Sequence, residues 1–288
     1  MATVTTTTQT LSVHTLEGQK CMTYDCWYTN PRAPIVVCVH GLTRNRHDFD
    51  AIARVLAERY CVYTVDILGR GDSDWMQSAE QYGYPLYVQQ MQQFITHILS
   101  CSGHRQIAWL GTSMGGLIGM MMAAAPLSPI RYLIMNDVGP VIPLAALQRL
   151  SQYVGLADDF ANLDEVERYL RRVAKPFGPL TDEQWRFLAE HGVERDGERW
   201  LLKYDPDIAQ PLVGLNSDVD LTAIWLAVVC DVFVLHGQDS DLLSAQQVQQ
   251  MRQRPRTDSV TFAGVGHAPM LMADEQIDAV CAYLNARF

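Results

Sequence analysis

One stretch limits what this chain can fold into more than any other: Ile107-Ala108-Trp109-Leu110-Gly111-Thr112-Ser113-Met114-Gly115-Gly116, running on into an apolar segment that reaches Ala125. A short apolar run of strand type gives way to a sharp turn, and the turn opens into a helix with Ser113 at the apex. In a Gly-x-Ser-x-Gly turn the serine takes a strained backbone conformation that lifts its hydroxyl clear of the sheet. Side chains two residues to either side would crowd the backbone, which is why glycine stands there. The helix that starts after Ser113 aims unpaired N–H groups at the same spot, an arrangement that favours developing negative charge. The pattern predicts a nucleophilic serine at the end of a buried strand.

The rest of the chain repeats that rhythm. Residues 11–16 and 20–28 read as a hairpin around Glu17-Gly18-Gln19. Residues 34–40 form a continuous apolar run of the kind buried on both faces of a sheet. A helical pattern follows over 46–60, with Phe49, Ile52, Val55 and Leu56 on one side, then a strand over 61–65 and a helix over 86–100. Beyond the Ser113 unit come strands at 132–136, 232–236 and 259–262 and helices at 245–252 and 273–287. Strands alternating with helices predict an α/β fold, a mostly parallel central sheet flanked by helices. Between residue 139 and about 226 the alternation stops. Charge and helix formers dominate there, broken by Pro140, Pro143, Pro176, Pro179, Pro206 and Pro211, and Thr181 is a plausible N-cap for the helix that carries Trp185 and Leu188. The expected organisation is a core made of residues 1–139 and 227–288 with a helical cap, 140–226, inserted in it. At 288 residues one such domain buries a substantial core.

Composition removes several function classes. The formal net charge of −10 argues against non-specific nucleic-acid binding and against docking on an anionic membrane. Seven cysteines are scattered, several inside apolar runs, and read as buried hydrophobes in a reduced cytoplasm rather than a disulfide framework. No Cys-x-x-Cys pair or clustered Cys/His spacing points to zinc, so no metal is expected. The threonine-rich start lacks a signal-peptide pattern and reads as a frayed lead-in, and no apolar run is long enough to cross a bilayer. The expected location is cytoplasmic; oligomeric state is not encoded in any motif.

A serine nucleophile needs a base, usually histidine, oriented by a carboxylate. His267 stands out among eight histidines because Gly264-Val265-Gly266-His267-Ala268-Pro269 places it on a loop between a strand and the last helix. His236 ends a strand and is a weaker competitor, whereas His14, His47, His97, His104 and His191 read as structural or solvated. Three acids compete: Asp239 and Asp241, after the strand at 232–236, and Asp137, after the strand at 132–136. The oxyanion needs two donors. The N–H of Met114 and that of Leu42, in the loop after the strand ending at His40, are the natural pair, with His40 bracing that loop. Trp185, Phe187, Trp200 and Tyr204 either line an apolar acyl pocket or pack the insertion against the core.

With His40-Gly41-Leu42, the Asp66-Ile67-Leu68-Gly69-Arg70-Gly71-Asp72-Ser73 segment, the Ser113 turn, Asn136-Asp137-Val138-Gly139-Pro140, Ser240-Asp241-Leu242-Leu243-Ser244 and the His267 loop in view, nearly the whole chain resembles the α/β-hydrolase superfamily, specifically its capped serine hydrolases. The resemblance implies the α/β-hydrolase fold and a triad in the order Ser, Asp, His. Relatives with a Ser-Asp-Leu-Leu-Ser-like segment use its aspartate, which makes Asp241 the expected acid. The commoner spacing, three residues after Gly237, falls on Ser240 and keeps Asp239 as the alternative. Arg70 and Asp72 lie in a segment that is usually structural in the superfamily. A serine at this turn argues against the dehalogenases and epoxide hydrolases, which use aspartate. The activity implied is cleavage of a carboxylic ester of small to medium acyl size through an acyl-enzyme, without metal or organic cofactor. The same residues would serve a C–C bond hydrolase, an enol-lactonase or a thioesterase. A ligand-binding homologue without turnover is the reading from a different class.

Overall fold

The threonines at the start of the chain are β-branched and pair at once. In the computed structural model, which describes residues 3–156 and 159–288, β1 (Thr5–Thr15) runs antiparallel to β2 (Gly18–Tyr28) along its whole length. The expected frayed lead-in is therefore strand from Thr5 onward; Met1 and Ala2 lie outside the described residues. Thr side chains suit a pleated edge, and β2 anchors the hairpin by pairing with β4 on its other side.

Next come β3 (Ile35–Val39), α1 (Asp50–Leu56), β4 (Cys61–Val65), α2 (Tyr84–Ser102), β5 (Ile107–Thr112), α3 (Met114–Ala123) and β6 (Ile130–Asn136). The helix expected over 46–60 is split: Arg46–Phe49 is a 3-10 turn capped by the Asn45 side chain, and only the following seven residues are α-helical. An inserted segment holds β7 (Val141–Ile142), α4 (Leu144–Leu150), β8 (Asp159–Phe160), α5 (Leu163–Val173), α6 (Asp182–His191), β9 (Val193–Asp196), β10 (Arg199–Leu202), β11 (Val219–Asp220) and α7 (Thr222–Ala227). The chain then returns through β12 (Asp231–Gly237), α8 (Ala245–Met251), β13 (Thr257–Phe262) and α9 (Asp274–Asn285).

The eight-stranded sheet has the order β1-β2-β4-β3-β5-β6-β12-β13 and is parallel from β4 to β13. All five residues of β3 are buried. Ile35, Val37 and Val39 join one core with Trp109 and Phe94, while Val36 and Cys38 join the other with Leu110 and Phe49. This period of two, buried on both faces, is what a central parallel strand requires. Parallel pairing brings the carboxyl ends of β3, β5, β6, β12 and β13 to one edge.

The insertion has a core of its own, in which Phe160, Val166, Leu170, Trp185 and Leu188 meet Met270 from the segment after β13. It is not purely helical as expected: β8, β10 and β9 form a small antiparallel sheet, and β7 pairs with β11 where the segment leaves and rejoins the core. Thr181 caps α6 in a full capping box with Gln184. Among the described residues no helix is long and apolar enough to cross a membrane.

Candidate active site

At the end of β5 the backbone of Ser113 sits at φ 52° and ψ −113°, outside the regions an ordinary residue prefers. The flanking glycines are needed for space: a Cβ on Gly115 would lie 2.0 Å from the Val39 carbonyl oxygen, and one on Gly111 2.3 Å from Gly115. The turn is tied sideways by the Ser113 N–H, which donates to the Asn136 carbonyl at 2.9 Å.

His267, on the loop after β13, reaches this serine. Ser113 Oγ and His267 Nε2 are 2.9 Å apart, and His267 Nδ1 lies 2.8 Å from Asp137 Oδ2. The carboxylate can only accept, so Nδ1 carries the proton and Nε2 presents its lone pair to the serine hydroxyl. Asp137 is fully buried at the end of β6, in the left-handed region at φ 55°. Its Oδ1 accepts the Gly237 N–H at 2.8 Å, and its Oδ2 accepts the Ser240 hydroxyl at 2.6 Å as well as the imidazole.

This geometry corrects the expectation for the acid. Asp241 does not touch His267; its side chain is 44% exposed and forms an ion pair with Arg149 of α4. Asp239 is also exposed, held through its backbone N–H to the Val265 carbonyl. The physical reason lies in the sheet order. Because β6 and β12 are parallel neighbours, the loops after both strands open beside the same histidine, and only the β6 loop buries its carboxylate there. Ser240, where the commoner spacing would put an acid, instead donates to Asp137.

The loop after β3 lies against the serine turn, with a Gly41 Cβ falling 3.8 Å from Ser113 Cβ. His40 braces it: Nδ1–H donates to the Gly41 carbonyl at 2.7 Å, and Nε2 accepts the Ile67 N–H at 3.0 Å. Complete burial, reinforced by the charge of Arg70, pushes the His40 pKa down to about 3, so the ring is neutral. Arg70, in a segment expected to be structural, braces the neighbouring backbone. It is fully buried, donates from Nε to the Leu42 carbonyl at 2.8 Å and from Nη1 to the Leu68 carbonyl at 2.9 Å, and lies over the Tyr87 ring. It thereby fixes the Leu42–Thr43 peptide, whereas the peptide carrying the Leu42 N–H is held by His40 at the Gly41 carbonyl. Met114 opens α3, so its N–H has no carbonyl one turn back to pair with.

Two lobes meet at Ser113. One is small, about 90 Å³, and carries Arg44, Asp48, Arg149, Tyr153 and Tyr204. The other, about 260 Å³, is lined by Tyr84, Tyr87, Leu117, Leu147, Leu212 and other apolar side chains. Of the four aromatics singled out in the sequence, Tyr204 alone lines a lobe; Trp185, Phe187 and Trp200 pack within the insertion. The tyrosines of α2 were missed because at helical spacing they read as ordinary core. His236 is buried between Thr261 Oγ1 and the Leu243 carbonyl and takes no part. Outside the lobes, His47, Asp50 and His191 bring three metal-type donors together.

Residues 36–280 match the alpha/beta hydrolase family, and the chain belongs to that family. It is accordingly a hydrolase. Among curated proteins it is 38% identical to a 3-hydroxybutyrate-oligomer hydrolase of Cupriavidus necator, covering 90% of this chain and 91% of that one. It is 28% identical to a 2-(acetamidomethylene)succinate hydrolase of Mesorhizobium japonicum, over 81% of each chain. Among solved structures, a putative hydrolase from Rickettsia typhi superposes with a TM-score of 0.89 at 28% identity, covering 99% of this chain and 100% of that one. An alpha/beta hydrolase from Novosphingobium aromaticivorans gives 0.86 at 30% identity, covering 97% and 98%.

Proposed function

We propose that the chain hydrolyses carboxylic esters through an acyl-enzyme on Ser113, with His267 as base and Asp137 as its acid partner. The observation that carries this reading is the unbroken hydrogen-bonded line from the buried Asp137 carboxylate through His267 to the Ser113 hydroxyl. Ser113 Oγ adds to the ester carbonyl carbon while its proton passes to His267 Nε2. The C–O bond to the alcohol then breaks, and His267 returns that proton to the departing oxygen. Water attacks the acyl-enzyme with the same histidine accepting its proton, releasing the acid and the free serine. Asp137 stabilises the imidazolium at each stage. The N–H groups of Leu42 and Met114 hold the oxyanion, with the Gly41–Leu42 peptide kept in place by His40 through the Gly41 carbonyl. Residues 140–226 act as a cap whose α4 supplies one wall of both lobes.

The substrate class we favour is a short linear hydroxyacyl ester with a free carboxylate at its alcohol end, such as a dimer or trimer of 3-hydroxybutyrate. Both lobes are smaller than the roughly 300–1,000 Å³ that houses drug-sized ligands. In this reading the apolar lobe takes the acyl chain, and the arginines of the polar lobe face the carboxylate of the leaving group. The 38% identical relative is named for that chemistry. The test has two arms. A fluorophosphonate should label the wild type and not Ser113→Ala. Purified enzyme should then release monomer from 3-hydroxybutyrate dimer faster than it cleaves p-nitrophenyl esters, lactones, thioesters or vinylogous diketones. Absence of labelling would sink the serine mechanism and favour a ligand-binding protein; fast C–C or lactone cleavage beside slow dimer cleavage would sink the substrate class alone.

A further inference from the structure

His47 lies in the 3-10 turn before α1, Asp50 is the first residue of α1, and His191 is the last residue of α6 in the cap. Nothing in their sequence spacing joins the third to the first two. In the fold, one donor atom from each lies within 4.8 Å of the other two. His47 Nδ1 and Asp50 Oδ2 are 3.1 Å apart, and the rings of His47 and His191 stand 4.4 Å apart between centroids. The geometry is primed in two further ways. His191 Nδ1 donates to the Phe187 carbonyl at 2.9 Å, which leaves the Nε2 lone pair free, the outer-sphere arrangement that fixes a metal-binding histidine. The second oxygen of Asp50, Oδ1, is buried without a hydrogen-bond partner. A carboxylate oxygen cut off from water in this way is costly unless a proton donor or a cation faces it.

We propose that His47, Asp50 and His191 form a divalent transition-metal site, of the zinc class, that ties the cap to the core. Two imidazoles and one carboxylate are a donor set suited to Zn²⁺, with water completing the shell. Metal–ligand bonds of about 2.0–2.2 Å hold neighbouring donors of a tetrahedral site a little over 3 Å apart. The His47–Asp50 pair already meets that spacing, and the third donor lies within 4.8 Å of both. Mg²⁺ and Ca²⁺ prefer oxygen ligands and would be rejected. The site also sits where it can matter: Asp48 and Gly192, the residues next to His47 and His191, both line the polar lobe beside Ser113. Asn45 Nδ2 already bonds the His191 carbonyl across the same junction at 2.8 Å. A bound ion would add a clamp to that hydrogen bond and to the His47–His191 ring contact on the rim of the lobe.

The experiment uses the full chain, stripped with a chelator and titrated with Zn²⁺ alone by calorimetry and thermal melting. One Zn²⁺ per chain should bind and raise the unfolding midpoint by a few degrees, because it binds only the folded state, and Mg²⁺ should not. His191→Gln, Asp50→Asn and His47→Gln should each weaken binding by at least about tenfold, the loss that even an outer-shell change causes. Their metal-free circular dichroism should stay native; where one substitution unfolds the chain, the remaining two decide. A wild type that binds no zinc overturns the proposal, as do variants that all bind as tightly as wild type. Replacement by Co²⁺ provides the last control, since a thiolate charge-transfer band would put the metal on an exposed cysteine such as Cys101, beside His97, and overturn the site as drawn.

Discussion

Two loops, one after β6 and one after β12, begin side by side at the carboxyl edge of the sheet; the first carries one aspartate near His267 and the second carries two. They differ in what surrounds the carboxylate. Asp137 is fully buried, held in a left-handed backbone conformation, and gripped by the Gly237 N–H, the Ser240 hydroxyl and the His267 ring. Asp241 is half exposed and answers to Arg149, and Asp239 stands in solvent. A carboxylate orients and stabilises an imidazolium only if it is desolvated and fixed; in water its field is screened. Which loop's carboxylate meets His267 therefore follows from burial rather than from position along the chain.

The comparison breaks most decisively at Asp137. Asp137→Asn should lower kcat by about 10⁴-fold with KM little changed, as loss of a triad acid does when the fold is kept. If Asp241→Asn costs more in the same steady-state assay, the assignment is wrong. The two loops should also be interchangeable in part: adding Ser240→Asp to Asp137→Asn should bring kcat above that of the single variant, since Ser240 already reaches the Asp137 carboxylate at 2.6 Å. Ser240→Ala alone should cost about tenfold in kcat, the size of one hydrogen bond to a charged group. Asp241→Asn should change kcat by less than about fivefold, as expected of an exposed ion pair, and Asp239→Asn should leave it unchanged.

A separate effect, on stability, concerns the loop after β3 that His40 braces. His40 is neutral in the folded protein, with its pKa pushed down to about 3 by burial, whereas in the unfolded chain it titrates at ~6.5. Below pH ~6.5 the unfolded chain binds a proton that the folded one refuses, so this contribution to stability is whole above that pH and is lost progressively as pH falls toward 3. Melting curves between pH 7 and 4 should show the midpoint falling, with a flatter acid limb in His40→Gln.

Much of the site was legible in the sequence because local geometry writes it there. A strained serine demands glycine two residues to either side, a strand buried on both faces must be continuously apolar, and a helix start must be capped, as Thr181 is. Ser113, His267, the Leu42 loop and the alternating architecture all follow from rules that act over a few residues. The small sheet of β8, β10 and β9 was not legible, since strands of two to four residues carry too little periodicity to separate them from helix-rich surroundings.

The chain's own order of residues thus determined the parallel sheet, the serine turn and the histidine loop, each a matter of neighbouring side chains and backbone. Only the tertiary structure decided which aspartate meets His267, what Arg70 braces, and that His191 of the insertion faces His47 and Asp50. Those choices depend on the lateral order of strands and on which polar atoms lose their water. Both are set by residues well separated in the chain, 28 positions for Arg70 and Leu42 and 130 for Asp137 and His267, and distance along the chain carries no record of them.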